Sequence, residues 1–206
     1  MAKKRTGFFK GAYELVTPQE NRLHYDNWAQ TYDDDMVTYS YVAPERVAAM
    51  LEREIKGGDI IDTGCGAGLS GQALWQHGDY TLDGIDLPTE ILTQANEKGA
   101  CRRLWSANLL ARLDIADNTY DGSLSVGVFT IGHIGPAGLA EFFRIVKPGG
   151  IIVFTVNELV YEKEEYPTKL KEWEARQKIT LLESKKDDYV VELGVGGFHP
   201  AMRVIA

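Results

Sequence analysis

Residues 60–68 read Ile60-Ile-Asp-Thr-Gly-Cys-Gly-Ala-Gly68, an apolar run that passes directly into alternating glycines. Glycines without side chains let the backbone approach a ligand closely, and the start of a following helix offers free N–H groups to an anion. Three glycines at alternate positions exceed what a tight turn needs. Two patterns overlap here. Gly66, Gly68 and Gly71 satisfy G-x-G-x-x-G, which in other chains holds a dinucleotide diphosphate. Asp62, Gly64, Gly66 and Gly68 satisfy acidic-x-G-x-G-x-G. Asp62 decides between them, because a carboxylate at the strand end repels a diphosphate but pairs with an ammonium group. A ligand with an amino-acid end fits both features, its ammonium on Asp62 and its carboxylate on the helix N-terminus.

Other residues extend the pattern. The next strand ends in Gly84-Ile85-Asp86-Leu87-Pro88, with Asp86 standing 22 positions after Gly64. After a third strand comes Ser106-Ala-Asn-Leu109, and near the N-terminus stands Tyr25-Asp-Asn-Trp-Ala-Gln-Thr-Tyr-Asp33. S-adenosylmethionine has an amino-acid end of the required kind and no phosphate. On these motifs, over roughly residues 20–205, the chain resembles the class I S-adenosylmethionine-dependent methyltransferases. Its Tyr-Asp-x-Trp-Ala-x-x-Tyr-Asp stretch is similar to that of the Williams–Beuren-region type, in which this helix lies over the cofactor.

The resemblance implies roles. Asp86 would accept both ribose hydroxyls, with Leu87 beside it. Asn108 and Leu109 would border the adenine. Asn108 stands where the family usually has Asp, so an acceptor oxygen is kept for the adenine amino group but the charge is lost. Gly64, Cys65, Gly66 and Val126 would surround the rest of the cofactor. Tyr25, Trp28 and Tyr32 share one helical face, and Tyr25 and Tyr32 are expected to touch the cofactor, where an aromatic face favours a sulfonium.

Methyl transfer from a sulfonium is an in-line displacement, and much of its acceleration can come from alignment and exclusion of water. A base is needed only where the acceptor must lose a proton. The segment Val126-Gly-Val-Phe-Thr-Ile-Gly-His133 follows the fourth strand, where the acceptor pocket should open. It lacks the Asp/Asn-Pro-Pro-aromatic motif with which amino methyltransferases grip a planar nitrogen, so the exocyclic amino groups of nucleic-acid bases are not the expected acceptors. His133 has the right ordinary pKa for a base, although a purely structural hydrogen bond explains a loop histidine equally well. His24, His77 and His199 have no companions at ligand spacing, and no Cys/His cluster suggests a metal.

The elements that must carry these residues alternate. Strands are expected at 59–63, 81–87, 102–107, 122–129 and 151–156, separated by helices at 69–77, 88–98 and 137–146. That alternation predicts a Rossmann-like α/β fold, a mostly parallel sheet with helices on both faces. The resemblance implies seven strands in the order 3-2-1-4-5-7-6, the last antiparallel. Lys147-Pro-Gly-Gly150 reads as the turn feeding the fifth strand. Thr17-Pro-Gln-Glu20 is a capping box that starts a helix of about a dozen residues, ended by Asp33-Asp-Asp35. A further helix runs from Ala43 or Pro44 to about Ile55, closed by Gly57-Gly58. Residues 1–16 read as a flexible tail, 17–206 as a single methyltransferase domain, and 17–56 as its lid and covering helices. The charged run Glu162–Lys186 reads as a solvated helix, with Tyr161, Tyr166 and Trp173 available to wall the acceptor pocket. Strands at 188–193 and 198–205 close the chain.

The 206 residues carry 22 Lys+Arg against 30 Asp+Glu, a net charge of −8 that disfavours a phosphate backbone as partner. The two cysteines are too few for a disulfide scaffold, and no apolar stretch approaches membrane-spanning length. The expectation is a cytoplasmic enzyme, monomer or homodimer, that methylates a small molecule without binding nucleic acid or membrane. The alternatives are a regulatory module that holds the cofactor without turnover and a nucleotide-dependent oxidoreductase.

Overall fold

A computed structural model describes residues 11, 12, 15 and 17–205. The tail expected over residues 1–16 therefore lies almost wholly outside the described residues. Helix α1 (Pro18–Trp28) starts at the expected capping box: Thr17 Oγ1 accepts from the Glu20 N–H at 3.2 Å, and Glu20 accepts from the Thr17 N–H at 2.8 Å. A 3-10 turn, Ala29–Thr31, leads to α2 (Tyr32–Thr38). Asp33, Asp34 and Asp35 thus do not end a helix. They form the first turn of α2, where the helix dipole favours negative charge, and Asp35 accepts from Trp28 Nε1 at 2.7 Å. Helix α3 (Ala43–Glu54) buries Val47, Ala48 and Leu51.

The sheet follows as β1 (Gly57–Thr63), α4 (Leu69–Leu74), β2 (Asp79–Asp86), α5 (Thr89–Glu97), β3 (Arg103–Ser106) and β4 (Tyr120–Phe129). It continues with α6 (Leu139–Ile145), β5 (Val146–Asn157), the short α7 (Glu158–Tyr161), α8 (Tyr166–Ala175), β6 (Ile179–Val190) and β7 (Val195–Val204). The seven strands lie in the order β3-β2-β1-β4-β5-β7-β6, as expected. The first five pair in parallel, and β7 runs antiparallel to both β5 and β6.

Neighbouring residues of β1 point to opposite faces, which splits the core in two. Ile61 packs with Phe129, Phe142, Phe154 and Met202, whereas Ile60 packs with Leu51, Leu74, Leu124 and Val153 beneath α3 and α4. A third cluster joins Trp28, Met36 and Tyr39 to Tyr189, Val190 and Val195.

Three local expectations need correction. Gly57 and Gly58 open β1 rather than close the preceding helix. Residues 147–150 belong to β5, as an irregularity between the pairs Tyr120–Val146 and Gly122–Ile151. The charged run Glu162–Lys186 is not one helix. Glu165 at φ 59° begins α8, and from Ile179 the chain is the edge strand β6. Its charges suit that place, because an edge carrying Lys and Glu resists further strand pairing.

One long-range contact bears on the site. Residues 39–42 lie along residues 189–192: the Val42 N–H donates to the Tyr189 carbonyl, the Val191 N–H to Ser40 and the Glu192 N–H to Tyr39, at 3.1–3.2 Å. This seam ties the N-terminal segment to the far edge of the sheet.

Candidate active site

A cavity of about 330 Å³ opens at the carboxyl ends of β1, β2 and β4, the end of a parallel sheet where ligands bind. Helix α1 roofs it. Asn21 Nδ2 donates to the Gly132 carbonyl at 2.7 Å, the Glu90 N–H donates to Asp26 at 3.1 Å, and Lys98 meets Asp33 at 2.5 Å. Those tethers join the roof to the loop after β4 on one side and to α5 on the other.

Ten of the twelve residues singled out by sequence line this cavity: Tyr25, Tyr32, Gly64, Gly66, Asp86, Leu87, Asn108, Leu109, Val126 and His133. Asp62 and Cys65 do not. Asp62 is fully buried behind the loop, where Oδ2 accepts from Ser70 Oγ at 2.6 Å and Oδ1 has no partner. Burial pushes its pKa up to about 7; the Ser70 hydrogen bond opposes this and the charge of Asp86 adds to it. Ser70, in the first turn of α4, holds the carboxylate away from the cavity, so direct pairing with a ligand ammonium is not what this geometry offers. Cys65 is buried, its Sγ turned toward Gly84 and its N–H on the Ile85 carbonyl.

The glycines have separable reasons. Gly64 has φ +88°, and a Cβ there would stand 2.0 Å from Val128 Cγ2. Gly66 has φ +49°, and its Cβ would reach into the cavity, 3.9 Å from both Asp86 Oδ2 and Ile91 Cδ1. The first permits packing; the second leaves room for a ligand against bare backbone.

Asp86 is held by two N–H donors, Gly66 to Oδ2 and Leu87 to Oδ1, each at 2.7 Å. Burial nevertheless raises its pKa to about 6 against these two bonds, with Asp26 adding to the rise. A carboxylate so fixed, half-buried at the cavity wall, suits a pair of hydroxyl donors. Asn108 is less well matched to its expected role. Its Oδ1 accepts from the Leu110 N–H at 2.9 Å, an Asx turn that already engages the oxygen expected to face an adenine amino group. An Asp keeps that turn, so Asn108→Asp should change S-adenosylhomocysteine affinity by less than about threefold in calorimetry. A larger loss would mean that the amide N–H₂ itself contacts the ligand.

His133 Nδ1 lies 2.8 Å from the Ile131 carbonyl oxygen, and since a carbonyl only accepts, Nδ1 carries the proton. Nε2 faces the Tyr25 hydroxyl at 3.1 Å and accepts from it. Burial holds the His133 pKa below its ordinary value, opposed by the Ile131 hydrogen bond. The imidazole is thus a neutral base whose open nitrogen is capped from the roof helix.

The sequence reading missed Met36, Tyr41, Tyr189 and Val190, which also line the cavity. None lies in a motif. Tyr41 and Tyr189 reach it only because the seam between residues 39–42 and 189–192 brings them there.

Comparison with known proteins fits this geometry. A methyltransferase domain model matches residues 61–154. Human methyltransferase-like protein 27 is 33% identical over 142 residues, covering 66% of this chain and 58% of its own length. A malonyl-[acyl-carrier protein] O-methyltransferase of Pectobacterium atrosepticum is 30% identical over 110 residues, covering 53% of this chain and 42% of its own length. The chain is thus similar to methyltransferases, over residues 61–154 in the domain model and over 142 residues in the human relative. The fold agrees: the 1,6-didemethyltoxoflavin-N1-methyltransferase of Burkholderia thailandensis, solved with S-adenosylhomocysteine and 1,6-didemethyltoxoflavin, superposes with a TM-score of 0.66 at 19% identity, covering 93% and 92% of the two chains. The chain spans about half the length of the curated relatives it matches.

Proposed function

We propose that the protein transfers a methyl group from S-adenosylmethionine to a small-molecule acceptor held in the same cavity. The observation that carries this reading is the convergence of the bare Gly66 backbone, the fixed Asp86 carboxylate and the His133 imidazole on one roofed space. When bound, the cofactor supplies a methyl group already activated on a sulfonium. The protein's own residues position, shield and, where required, deprotonate. Asp86 orients the ribose, with the Leu87 and Gly66 N–H groups fixing its carboxylate. The α1 roof keeps water out, which strengthens every polar contact inside. For an acceptor that must lose a proton, His133 Nε2 takes it once the Tyr25 hydroxyl yields its place.

A roofed cavity supports a compact acceptor. The structural neighbour was solved with such a molecule, whereas the bacterial relatives are named for an acceptor carried on a protein. The unpaired thiols of Cys65 and Cys101 support a reduced, cytoplasmic setting. Among the described residues, no helix is long and apolar enough to cross a membrane.

Calorimetric titration with S-adenosylhomocysteine tests the cofactor, and release of that product with a panel of acceptors tests turnover. No heat of binding would sink the reading. Helix α1 supplies a second test, because a lid belongs to the less stable part of a fold. Saturating S-adenosylhomocysteine should slow amide exchange across residues 20–35 more than across α8. Equal exchange with and without the ligand would make α1 fixed core cover.

A further inference from the structure

Where β4 enters the cavity, two phenol hydroxyls converge on a glycine. A Cβ built on Gly127 would stand 3.1 Å from the Tyr41 hydroxyl and 3.6 Å from that of Tyr189, so the two hydroxyls lie against bare backbone. The backbone there is set for it. Gly127 has φ +84°, β4 loses register with β5 between Ser125 and Phe129, and the Gly127 N–H donates to Thr155 Oγ1 at 3.0 Å. The Tyr41 and Tyr189 rings meet edge to face with centroids 5.4 Å apart. Around them the wall is Trp28, Met36 and Val190, all buried. Trp28 has its one polar atom engaged by Asp35, so it presents a wholly apolar ring.

Charge is missing from this part of the cavity. The charged side chains lining the cavity are Arg22, on the exposed side of α1 and 3.6 Å from Asp26, and Asp86, at the end of β2 and separated from β4 by β1. His133 is neutral. A carboxylate or an ammonium inserted beside Tyr41 and Tyr189 would be desolvated with no counter-charge, which is costly. Burial lifts both phenols above their ordinary pKa, so they stay neutral; Tyr41 donates to Tyr189, which also accepts from Thr155, and this leaves the Tyr189 proton to donate and the Tyr41 oxygen to accept. Aromatic walls with two hydroxyls suit a flat apolar ring that carries a hydroxyl of its own.

We propose that this part of the cavity is the acceptor subsite and that it takes an uncharged phenolic ring, its oxygen set against the Tyr41 and Tyr189 hydroxyls. The assignment rests on the methyltransferase reading, since Gly64 and Val126, expected around the cofactor, line one space with Tyr41.

Three probes that share a phenol and differ in charge test it: p-cresol, 4-hydroxyphenylacetate and tyramine, each measured by ligand-detected NMR on the protein saturated with S-adenosylhomocysteine. p-Cresol should bind, and the two charged probes should bind at least about tenfold more weakly. Tyr41→Phe and Tyr189→Phe should each weaken p-cresol by about fivefold, the loss of one hydrogen bond, while S-adenosylhomocysteine affinity stays within about twofold. Unchanged p-cresol affinity in both variants, equal binding of the charged probes, or no p-cresol binding to the loaded protein would each overturn the assignment. Failure of the wild-type protein to bind S-adenosylhomocysteine is a separate result. It would remove the cofactor reading and the subsite with it.

Discussion

Asp86→Ala should weaken S-adenosylhomocysteine binding by about ten- to a hundredfold, the equivalent of roughly 1.5–3 kcal/mol for hydrogen bonds to a charged group. The substitution removes the acceptor proposed for the ribose and also leaves the Gly66 and Leu87 N–H groups, now 2.7 Å from the carboxylate, without their partner. The loop that faces the ligand therefore loses its brace as well. The same residue sets a pH dependence. Its pKa is raised to about 6 in the free protein, and hydroxyls donating to the carboxylate favour its ionised form and lower that value. Affinity should therefore be full above about pH 7 and fall as pH drops through 6. In Asp86→Ala that slope should disappear. Wild-type affinity in the variant, or an unchanged slope, would take Asp86 out of the site.

Asp62→Asn should make the free protein more stable at pH 8 and leave it little changed at pH 5. Asp62 is fully buried with one oxygen unpartnered, and its folded pKa of about 7 lies far above the ordinary 3.8. A carboxyl raised in this way favours the folded state while protonated. That contribution is present at low pH and is lost as pH rises from about 4 through 7. Full ionisation across a gap of about three pKa steps corresponds to about 4 kcal/mol. The Asn N–H₂ recovers part of this and leaves a polar atom of its own to satisfy, so a gain of about 1–3 kcal/mol is expected at pH 8. Urea unfolding of both proteins at the two pH values decides it. A difference independent of pH would show that Asp62 does not titrate in this range.

The part of the cavity proposed for the cofactor was legible because its residues are local in sequence. The glycine loop, Asp86 and the Asn108-Leu109 pair each sit at the end of one strand, and a strand end points to one place once the sheet order is known. Asp62 was legible as a residue but not in its direction. Nothing in the spacing says that Ser70, one helical turn into α4, captures its carboxylate. The Asp33–Asp35 run misled because three acidic residues break a helix interior but favour a helix start. The run 162–186 misled because charge is as characteristic of an edge strand as of a solvated helix. Tyr41 and Tyr189 could not be found at all, since their meeting depends on pairing between opposite ends of the chain.

That pairing has a kinetic consequence. The strands that carry the glycine loop and Asp86 close over short stretches of sequence, whereas the bridge between Tyr41 and Val190 joins residues separated by most of the chain. Loop closure of that length costs chain entropy before any contact repays it, so the seam is among the last contacts to form. A nascent chain, or one opened locally at its edge, would hold the Gly66–Asp86 part of the cavity nearly complete beside an unbuilt Tyr41–Tyr189 wall. The two parts can then fail separately: on the proposed reading, a destabilising change at residues 39–42 or 189–192 would yield a protein that still binds S-adenosylhomocysteine and no longer binds p-cresol.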